Sequence, residues 1–222
     1  MNVLITGANR GLGLGFVRHY LAQGAQVWAC YRSDMGDLAD IESSALHIVQ
    51  WDVACDDGPQ GGLPTSIDIL INNAGIYGPY KDGQSLNGIT SASMQEVFNV
   101  DCVGPLRVVQ RLKDRVLAGQ GIIANLSSKM GSTSDNSSGG SYAYRAAKAA
   151  LVIVSKSMAV DLKDDGVRVI TLHPGWVETD MTHHSGLIDV AASVAGMTHV
   201  IGHVNDYEAG AFVAFDGVVV PY

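Results

Sequence analysis

The sequence predicts one α/β domain built on a parallel β-sheet that carries helices on both faces. Short runs rich in β-branched residues alternate with longer segments of helical period, which is typical of parallel strands joined by crossover helices. Of the 222 residues, 47% are apolar and only 16% are charged, which is enough to bury one large core. We therefore expect residues 1–222 to form a single doubly wound domain of about seven strands, with no second domain or long linker.

Apolar periodicity places the individual elements. The expected strands are Asn2–Thr6, Gln26–Tyr31, Leu46–Trp51, Ile67–Asn72, Gly121–Leu126, Val167–Leu172 and Ala211–Val219. The clearest helices are expected at Leu12–Gln23, Ser93–Leu117 and Ser141–Asp164. The third and fourth strands are joined by VACDDGPQGGLPTS, whose prolines and glycines predict a loop or a single turn instead of a full crossover helix. The polar stretch Gly131–Ser141 is expected to be a loop beside the site.

Composition argues against several classes of partner. A net charge of −8 disfavours non-specific nucleic-acid binding, which needs a positive field. No apolar run is long enough to cross a membrane, and no signal-peptide pattern is recognised. The three cysteines, Cys30, Cys55 and Cys102, form no CxxC pair and are interpreted as reduced, buried thiols. We expect a cytoplasmic protein with neither a nucleic-acid nor a membrane partner.

A glycine-rich loop follows the first expected strand and precedes the first helix. In TGANRGLG, Gly7 allows a sharp turn, Gly11 removes a side chain from the path of a ligand, and Gly13 lets the helix approach the strand. The free N–H groups of the helix then point at a pyrophosphate, as in Rossmann-type dinucleotide sites. Taken alone, such a loop is also compatible with an ordinary turn.

The residues after the second strand indicate which dinucleotide is bound. NAD sites usually place an acidic residue there, whereas this chain has Tyr31 followed by Arg32. A guanidinium suits the 2′-phosphate of NADP, and Arg10 is placed to approach it from the other side. NADP(H) is therefore the preferred coenzyme. Asp34 keeps NAD(H) possible, and both arginines also have an interpretation as plain surface charges.

A tyrosine and a lysine four residues apart predict the proton-transfer site. Tyr144 and Lys148 share one helix face about 6 Å apart along the axis. A free tyrosine titrates at about pH 10, and a neighbouring ammonium favours the phenolate. Tyr142 is a weaker candidate because Ala146 supplies no charge at the matching position. Ser128 ends the preceding strand and is expected to bond the substrate oxygen, the alternative being a capping role.

Six motifs stand in the order and register of the short-chain dehydrogenase/reductase family, which the chain resembles over essentially its whole length. They are TGANRGLG at Thr6–Gly13, Asp52-Val53, NNAG at Asn72–Gly75, the pair Ser127-Ser128, YRAAK at Tyr144–Lys148 and HPGWVETDM at His173–Met181. The loop between Ser128 and Tyr144, together with the closing DGVVVP, resembles the C-factor and sniffer-like carbonyl reductase branch.

The resemblance implies a role for each matching position. Tyr144 would be the acid/base, Lys148 would lower its pKa and hold the nicotinamide ribose, and Ser128 would orient the carbonyl. Besides Tyr144 and Lys148, the implied coenzyme contacts are Gly7, Asn9, Arg10, Gly11, Leu12, Gly13, Tyr31, Arg32, Asp52, Val53, Asn72, Ala74, Gly75, Pro174, Gly175, Val177 and Thr179. On the residues alone, Asn72–Gly75 could equally be a turn and His173–Gly175 a structural break.

The chain departs from the family at one position of consequence. The family carries a helix asparagine that completes a catalytic tetrad and anchors a proton-relay water, but FNVDCVG puts Asp101 there and Asn99 two residues away. The relay is usually attributed to the backbone carbonyl, which an aspartate keeps. We therefore count Asp101 among the catalytic residues and expect activity with altered pH behaviour, since its carboxylate would compete with Tyr144 for the charge of Lys148.

The segment Thr182–Tyr207 corresponds to the family's substrate lid. His183 and His184 fall in it and are interpreted as solvated loop residues, although contact with substrate stays open. With His199 and His203 they show no metal-ligand pattern, and hydride transfer needs no metal, so none is expected.

The leading functional prediction is an NADPH-dependent enzyme that reduces a small carbonyl or oxidises a secondary alcohol. A nucleotide-binding signalling or regulatory protein with little turnover is the alternative, and a dehydratase or epimerase is a weaker one. Helices Ser93–Leu117 and Ser141–Asp164 carry more apolar and small residues than one buried stripe needs. The family commonly pairs these helices across an interface, so we expect a homodimer or homotetramer.

Overall fold

Seven parallel strands form one sheet in the order β3-β2-β1-β4-β5-β6-β7, in a computed structural model that describes residues 1–222. The strands are β1 (Asn2–Ile5), β2 (Gln26–Tyr31), β3 (Leu46–Gln50), β4 (Ile69–Asn72), β5 (Ile122–Leu126), β6 (Arg168–His173) and β7 (Phe212–Ala214). The chain order reverses between β1 and β4, the place where doubly wound sheets open a ligand crevice at their carboxyl edge. The predicted fold class is confirmed.

Helices cover both faces because alternate strand residues enter different cores. The helices are α1 (Gly11–Ala22), α2 (Ser91–Phe98), α3 (Gly104–Gly119), α4 (Tyr142–Asp161) and α5 (Val190–Gly202). Val3 and Ile5 lie in a core roofed by α1 and α5, whereas Leu4 lies in a second core roofed by α3 and α4. Both cores are dry and apolar, so the sheet is a rigid base for the loops at its edge.

The connection from β3 to β4 contains no helix, as its prolines and glycines predicted. Gln60 instead returns to the edge of the sheet and pairs antiparallel with Gln50, through backbone bonds of 2.8 and 3.1 Å. The crossover between β3 and β4 is therefore a loop, and it lies beside the end of β3.

The helix predicted over Ser93–Leu117 is interrupted. It starts at Ser91, capped by the Thr90 hydroxyl, which accepts a bond of 3.1 Å from the Ser93 N–H. A π-helical turn at Asn99–Val103 then separates α2 from α3. Such turns insert one extra residue into a helix and often accompany functional sites.

One further expectation about elements was wrong. The strand predicted over Ala211–Val219 ends at Ala214, because Gly217 adopts a left-handed conformation (φ +84°) and turns the chain back on itself. The segment Thr182–Tyr207, which corresponds to the family's substrate lid, contains α5, whose start is capped by Asp189 through a bond of 2.7 Å from the Ala192 N–H. None of the helices has the length and apolarity needed to cross a bilayer.

Candidate active site

The glycine-rich loop packs so tightly that it leaves a cradle of bare backbone. A Cβ on Gly7 would lie 2.8 Å from the Ala74 Cα, and one on Gly13 would overlap the carbonyl oxygen of Gly7. Arg10 forms the N-cap of α1 but its side chain makes no capping bond, so no side chain of the cap occupies the first N–H groups of the helix. This exposed helix end fits a pyrophosphate.

A residue missed by the sequence reasoning holds this loop against β4. The Asn73 amide donates to the carbonyls of Thr6 and Gly7 at 2.9 Å each. In return the Thr6 hydroxyl accepts from the N–H groups of Asn73 and Ala74, each at 3.1 Å. The NNAG motif contains Asn73, so its position was the available signal. Asn72, in contrast, turns inward and bonds Asn125 at 2.8 Å, so its amide supports the sheet and does not line the crevice.

The end of β2 carries an exposed cation and a carboxylate that bonds its own loop. Arg32 is exposed directly after β2, with no ion pair. Asp34 accepts from the Gly36 N–H at 3.0 Å. Asp52 similarly caps a turn, accepting from the Ala54 N–H at 2.9 Å, while Val53 is buried beside it.

The π-helical turn fastens the loop that carries Asp52 and Val53. Asn99 donates to the Ala54 carbonyl at 2.9 Å, and Arg107 bonds Asn99 at 3.2 Å and Asp56 at 2.7 Å. Sequence reasoning set Asn99 aside because it is out of register with the family's asparagine. Its role depends on a contact 45 residues away in sequence, which no local pattern announces.

Two residues further along the same turn, Asp101 meets the predicted catalytic lysine. Asp101 is 0% exposed, and its Oδ2 lies 3.2 Å from Lys148 Nζ. Its other oxygen accepts from the Ile76 N–H at 2.8 Å, and Lys148 donates to the Leu126 carbonyl at 3.0 Å. The Lys148 ammonium also lies 5.6 Å from the centre of the Tyr144 ring. Three of the four predicted catalytic side chains therefore share one buried charge system.

Burial and charge act in opposite directions on these groups. Burial raises the pKa of Tyr144; Lys148 and the Ser128 hydroxyl oppose this, and Asp101 reinforces it, so the pKa ends above its usual value. Burial lowers the pKa of Lys148, but attraction from Asp101 and Tyr144 more than compensates and holds it above its usual value. The expected lowering of the Tyr144 pKa by Lys148 is present, yet burial outweighs it, and Asp101 adds a smaller rise. Tyr144 is thus held as a neutral phenol in the coenzyme-free protein.

Ser128 completes the cluster at the end of β5. Its hydroxyl accepts from the Met130 N–H at 3.2 Å, so it caps a short turn as well as facing Tyr144. The capping interpretation is therefore confirmed. Because a hydroxyl that accepts one bond still has a proton to donate, the predicted bond from Ser128 to a substrate oxygen stays compatible with this role.

Comparison with known proteins agrees with this geometry. The sequence model of the short chain dehydrogenases matches residues 1–187. The chain belongs to the short-chain dehydrogenase/reductase family. It is 38% identical to the C-signal protein of Myxococcus xanthus over 157 residues, which are 70% of this chain and 93% of that protein.

Solved structures of the family superpose on the whole chain. The NADPH-bound carbonyl reductase from chicken fatty liver has a TM-score of 0.86 at 30% identity, covering 100% of this chain and 98% of that one. The carbonyl reductase Sniffer of D. melanogaster has a TM-score of 0.89 at 28% identity, covering 100% and 99%. The resemblance to this branch is confirmed. Family membership makes the chain an oxidoreductase by class, and neighbours that carry NADPH or NADP support a nicotinamide coenzyme.

In this short-chain dehydrogenase/reductase an aromatic side chain, also missed from sequence, lies against Tyr144, the predicted acid/base. The Tyr77 ring is 5.1 Å from that of Tyr144, and its hydroxyl is 2.7 Å from the Ser141 hydroxyl. Gln84 holds the pair together, donating to the Tyr77 carbonyl at 2.6 Å and accepting from the Tyr144 N–H at 3.0 Å. Tyr77 lies two residues after the NNAG motif, whereas nothing in the sequence marks Gln84.

The segment after β6, which the family resemblance predicts to hold the nicotinamide, forms a tight turn. Gly175 has a φ of +87°, and a Cβ there would lie 2.7 Å from Ile188, so the turn requires glycine. The Pro174 carbonyl accepts from the Ser193 hydroxyl at 2.6 Å, which ties the turn to α5. Val177 is buried, and Thr179 reaches Gly11, whose Cβ would lie 3.6 Å from the Thr179 methyl group.

Proposed function

We propose that this short-chain dehydrogenase/reductase transfers a hydride between NADP(H) and a small carbonyl or secondary alcohol, with residues 1–222 acting as one coenzyme-binding domain. The observation that carries the proposal is the placement of Tyr144, Lys148 and Ser128 at the carboxyl edge of the sheet, beside the bare glycine cradle. Preference for NADP(H) over NAD(H) is supported by Arg10 and Arg32, and by the bond that Asp34 accepts from the Gly36 N–H of its own loop.

Bound NADPH would supply the hydride. In the reductive direction Tyr144 gives its phenolic proton to the carbonyl oxygen, and Ser128 donates a hydrogen bond to the same atom. Lys148 stabilises the phenolate that is left and, through its charge, makes the tyrosine a usable base in the reverse direction. Asp101 holds the Lys148 ammonium in place and partly neutralises the positive charge that acts on Tyr144.

The test is turnover by the purified protein with NADPH and a panel of aldehydes, ketones and quinones, followed by coenzyme absorbance. Tyr144→Phe removes the acid/base and should abolish activity without weakening NADPH binding. Tyr142→Phe is the matched control, because that phenol is exposed one half-turn earlier on α4 and has no lysine partner. Full activity in Tyr144→Phe would rule out the mechanism.

A second function, nucleotide-dependent signalling with little turnover, is supported by the similarity to the C-signal protein of Myxococcus xanthus. The buried Asp101, which opposes ionisation of Tyr144, agrees with slow chemistry. Tight NADPH binding without turnover across the whole panel would favour this function.

We also propose a homodimer or homotetramer that uses α4. Five of its seven exposed residues are aromatic, apolar or small and share one stripe: Tyr142, Ala146, Ile153, Ser157 and Val160. The other two, Lys156 and Asp161, flank that stripe. The exposed positions of α3, in contrast, are mostly polar or charged, so α4 supports the interface better than α3 does. A cytoplasmic location is supported by the three cysteines, none of which forms a disulfide. Cys30 and Cys102 are buried as expected, whereas Cys55 is exposed.

A further inference from the structure

An ion pair spans the coenzyme crevice between the glycine loop and the segment after β6. Arg10 Nη1 lies 3.0 Å from Asp180 Oδ2, although the two residues are 170 positions apart in sequence. Directly beside this pair, Gly11 faces Thr179 at van der Waals distance from a Cβ. The two loops that would enclose the coenzyme are therefore held together by Arg10 and Asp180.

Asp180 is bound on its second oxygen as well. His184 Nε2 lies 3.2 Å from Asp180 Oδ1, four residues further along the chain. His183 and His184 both have left-handed backbone conformations, with φ of +50° and +54°. Such conformations are unfavourable for residues with side chains, so contacts such as this one hold the segment in place. The carboxylate is thereby presented to Arg10.

We propose that Asp180 is a specificity-determining residue that competes with the 2′-phosphate of NADP(H) for Arg10. The inference rests on the proposed function, in which Arg10 recognises that phosphate. A guanidinium presents one planar set of donors, so engagement with Asp180 and a full bidentate contact with phosphate exclude each other. The side chains of Arg10 and Asp180 are 70% and 59% exposed, which leaves Arg10 free to change partner without unpacking the core.

The competition acts on one coenzyme only. NADPH must take Arg10 from Asp180 before the phosphate contact forms, whereas NADH has no 2′-phosphate and leaves the ion pair intact. Asp180 consequently narrows the preference for NADPH over NADH. Exposed ion pairs of this kind are weak, so its removal should tighten NADPH binding by about threefold to fivefold.

The experiment measures dissociation constants for NADPH and NADH by calorimetric titration of the full chain. The variants are Asp180→Asn, Arg10→Gln and the double variant. Glu178→Gln is the matched control. Glu178 lies two residues before Asp180, is exposed and makes no ion pair, so this variant removes the same charge without changing the partner of Arg10. Melting temperatures with and without coenzyme show that each variant is folded.

The expected result is tighter NADPH binding in Asp180→Asn, with NADH binding unchanged and no gain in the Arg10→Gln background. Equal tightening of both coenzymes, or the same gain in Glu178→Gln, would mean a general charge effect and would overturn the inference. Unchanged NADPH affinity in Asp180→Asn would also overturn the inference. If Arg10→Gln nevertheless lowers the preference for NADPH over NADH, the proposed function still stands. An unchanged preference in Arg10→Gln would overturn the role of Arg10 itself.

Discussion

Replacing Asp101 with asparagine should move the pH dependence of the reaction to lower pH. Asparagine keeps an oxygen that can accept from the Ile76 N–H but removes the negative charge that lies 3.2 Å from Lys148 Nζ. The full charge of the ammonium then acts on Tyr144. Because Asp101 raises the pKa of Tyr144 in this structure, its neutralisation must lower that pKa.

The size of the shift follows from the distances through Lys148. The ammonium is 3.2 Å from Asp101 and 5.6 Å from the centre of the Tyr144 ring. The carboxylate of Asp101 is therefore no more than roughly 9 Å from the centre of the Tyr144 ring, a separation at which unit charges interact by about 2 kcal/mol at an effective dielectric constant of about 20. We expect the alkaline rise of alcohol oxidation, which needs the phenolate, to begin about one pH unit earlier in Asp101→Asn.

Two assays separate this effect from a loss of structure. The first is the pH profile of kcat for an alcohol from the substrate panel, and the second is ultraviolet titration of the phenolate, with Tyr144→Phe as the blank. Glu96→Gln, an exposed carboxylate on α2 with no ion pair, is the control and should leave both curves unchanged. Thermal melting is needed as well, because breaking a buried ion pair typically costs about 3–5 kcal/mol.

A folded Asp101→Asn variant with an unchanged profile and an unchanged phenolate titration would refute this reasoning. It would mean that Asp101 carries no charge at the working pH. A shift to higher pH would refute the assigned sign.

Three other changes have defined outcomes. Burial lowers the pKa of His173 to about 4, from an ordinary 6.5, so the unfolded chain takes up a proton that the folded one does not. Stability should therefore fall as the pH drops through this window, by about 2 kcal/mol between about pH 7 and about pH 5 in urea unfolding, and His173→Asn should remove most of that loss. Gly13→Ala should weaken NADPH binding by about tenfold or more because its methyl group overlaps the loop, whereas Gly62→Ala, in open space, should bind normally. Ile153→Lys, on the exposed stripe of α4, should convert a dimer to a monomer in light scattering, and an unchanged mass would exclude that face.

The sequence predicted those parts of the molecule that depend on local pattern. The strands through Val3–Ile5 and the loop around Gly7 and Gly13 follow from hydrophobic runs and steric need, so both were placed within a few residues. Asp101 was recognised as a site residue because it stands where the family motif has an asparagine. The ion pair of Asp101 with Lys148 was anticipated, but the net rise in the pKa of Tyr144 was not, since that depends on how deeply the phenol is buried.

The features that were missed depend on contacts across the fold. Asn99 bonds the Ala54 carbonyl, and Gln84 bonds Tyr77 and Tyr144, yet none of these pairs shares a motif. The end of β7 was placed too late because Val218 and Val219 continue the apolar run beyond a tight turn at Gly217. Periodicity reports burial, but it does not report where the backbone reverses.

The π-helical turn between α2 and α3 has a consequence for how the two ends of the site can change. Asn99 faces the loop of Asp52, and Asp101 faces Lys148, because the extra residue sets the rotation between α2 and α3. Deleting one residue from Asn99–Val103 would rotate α2 by about 100° about the helix axis relative to α3. The contacts at the Asp52 loop and at Lys148 thus depend on the same five-residue turn. Substitutions in this turn can change either contact separately, but an insertion or deletion alters both at once.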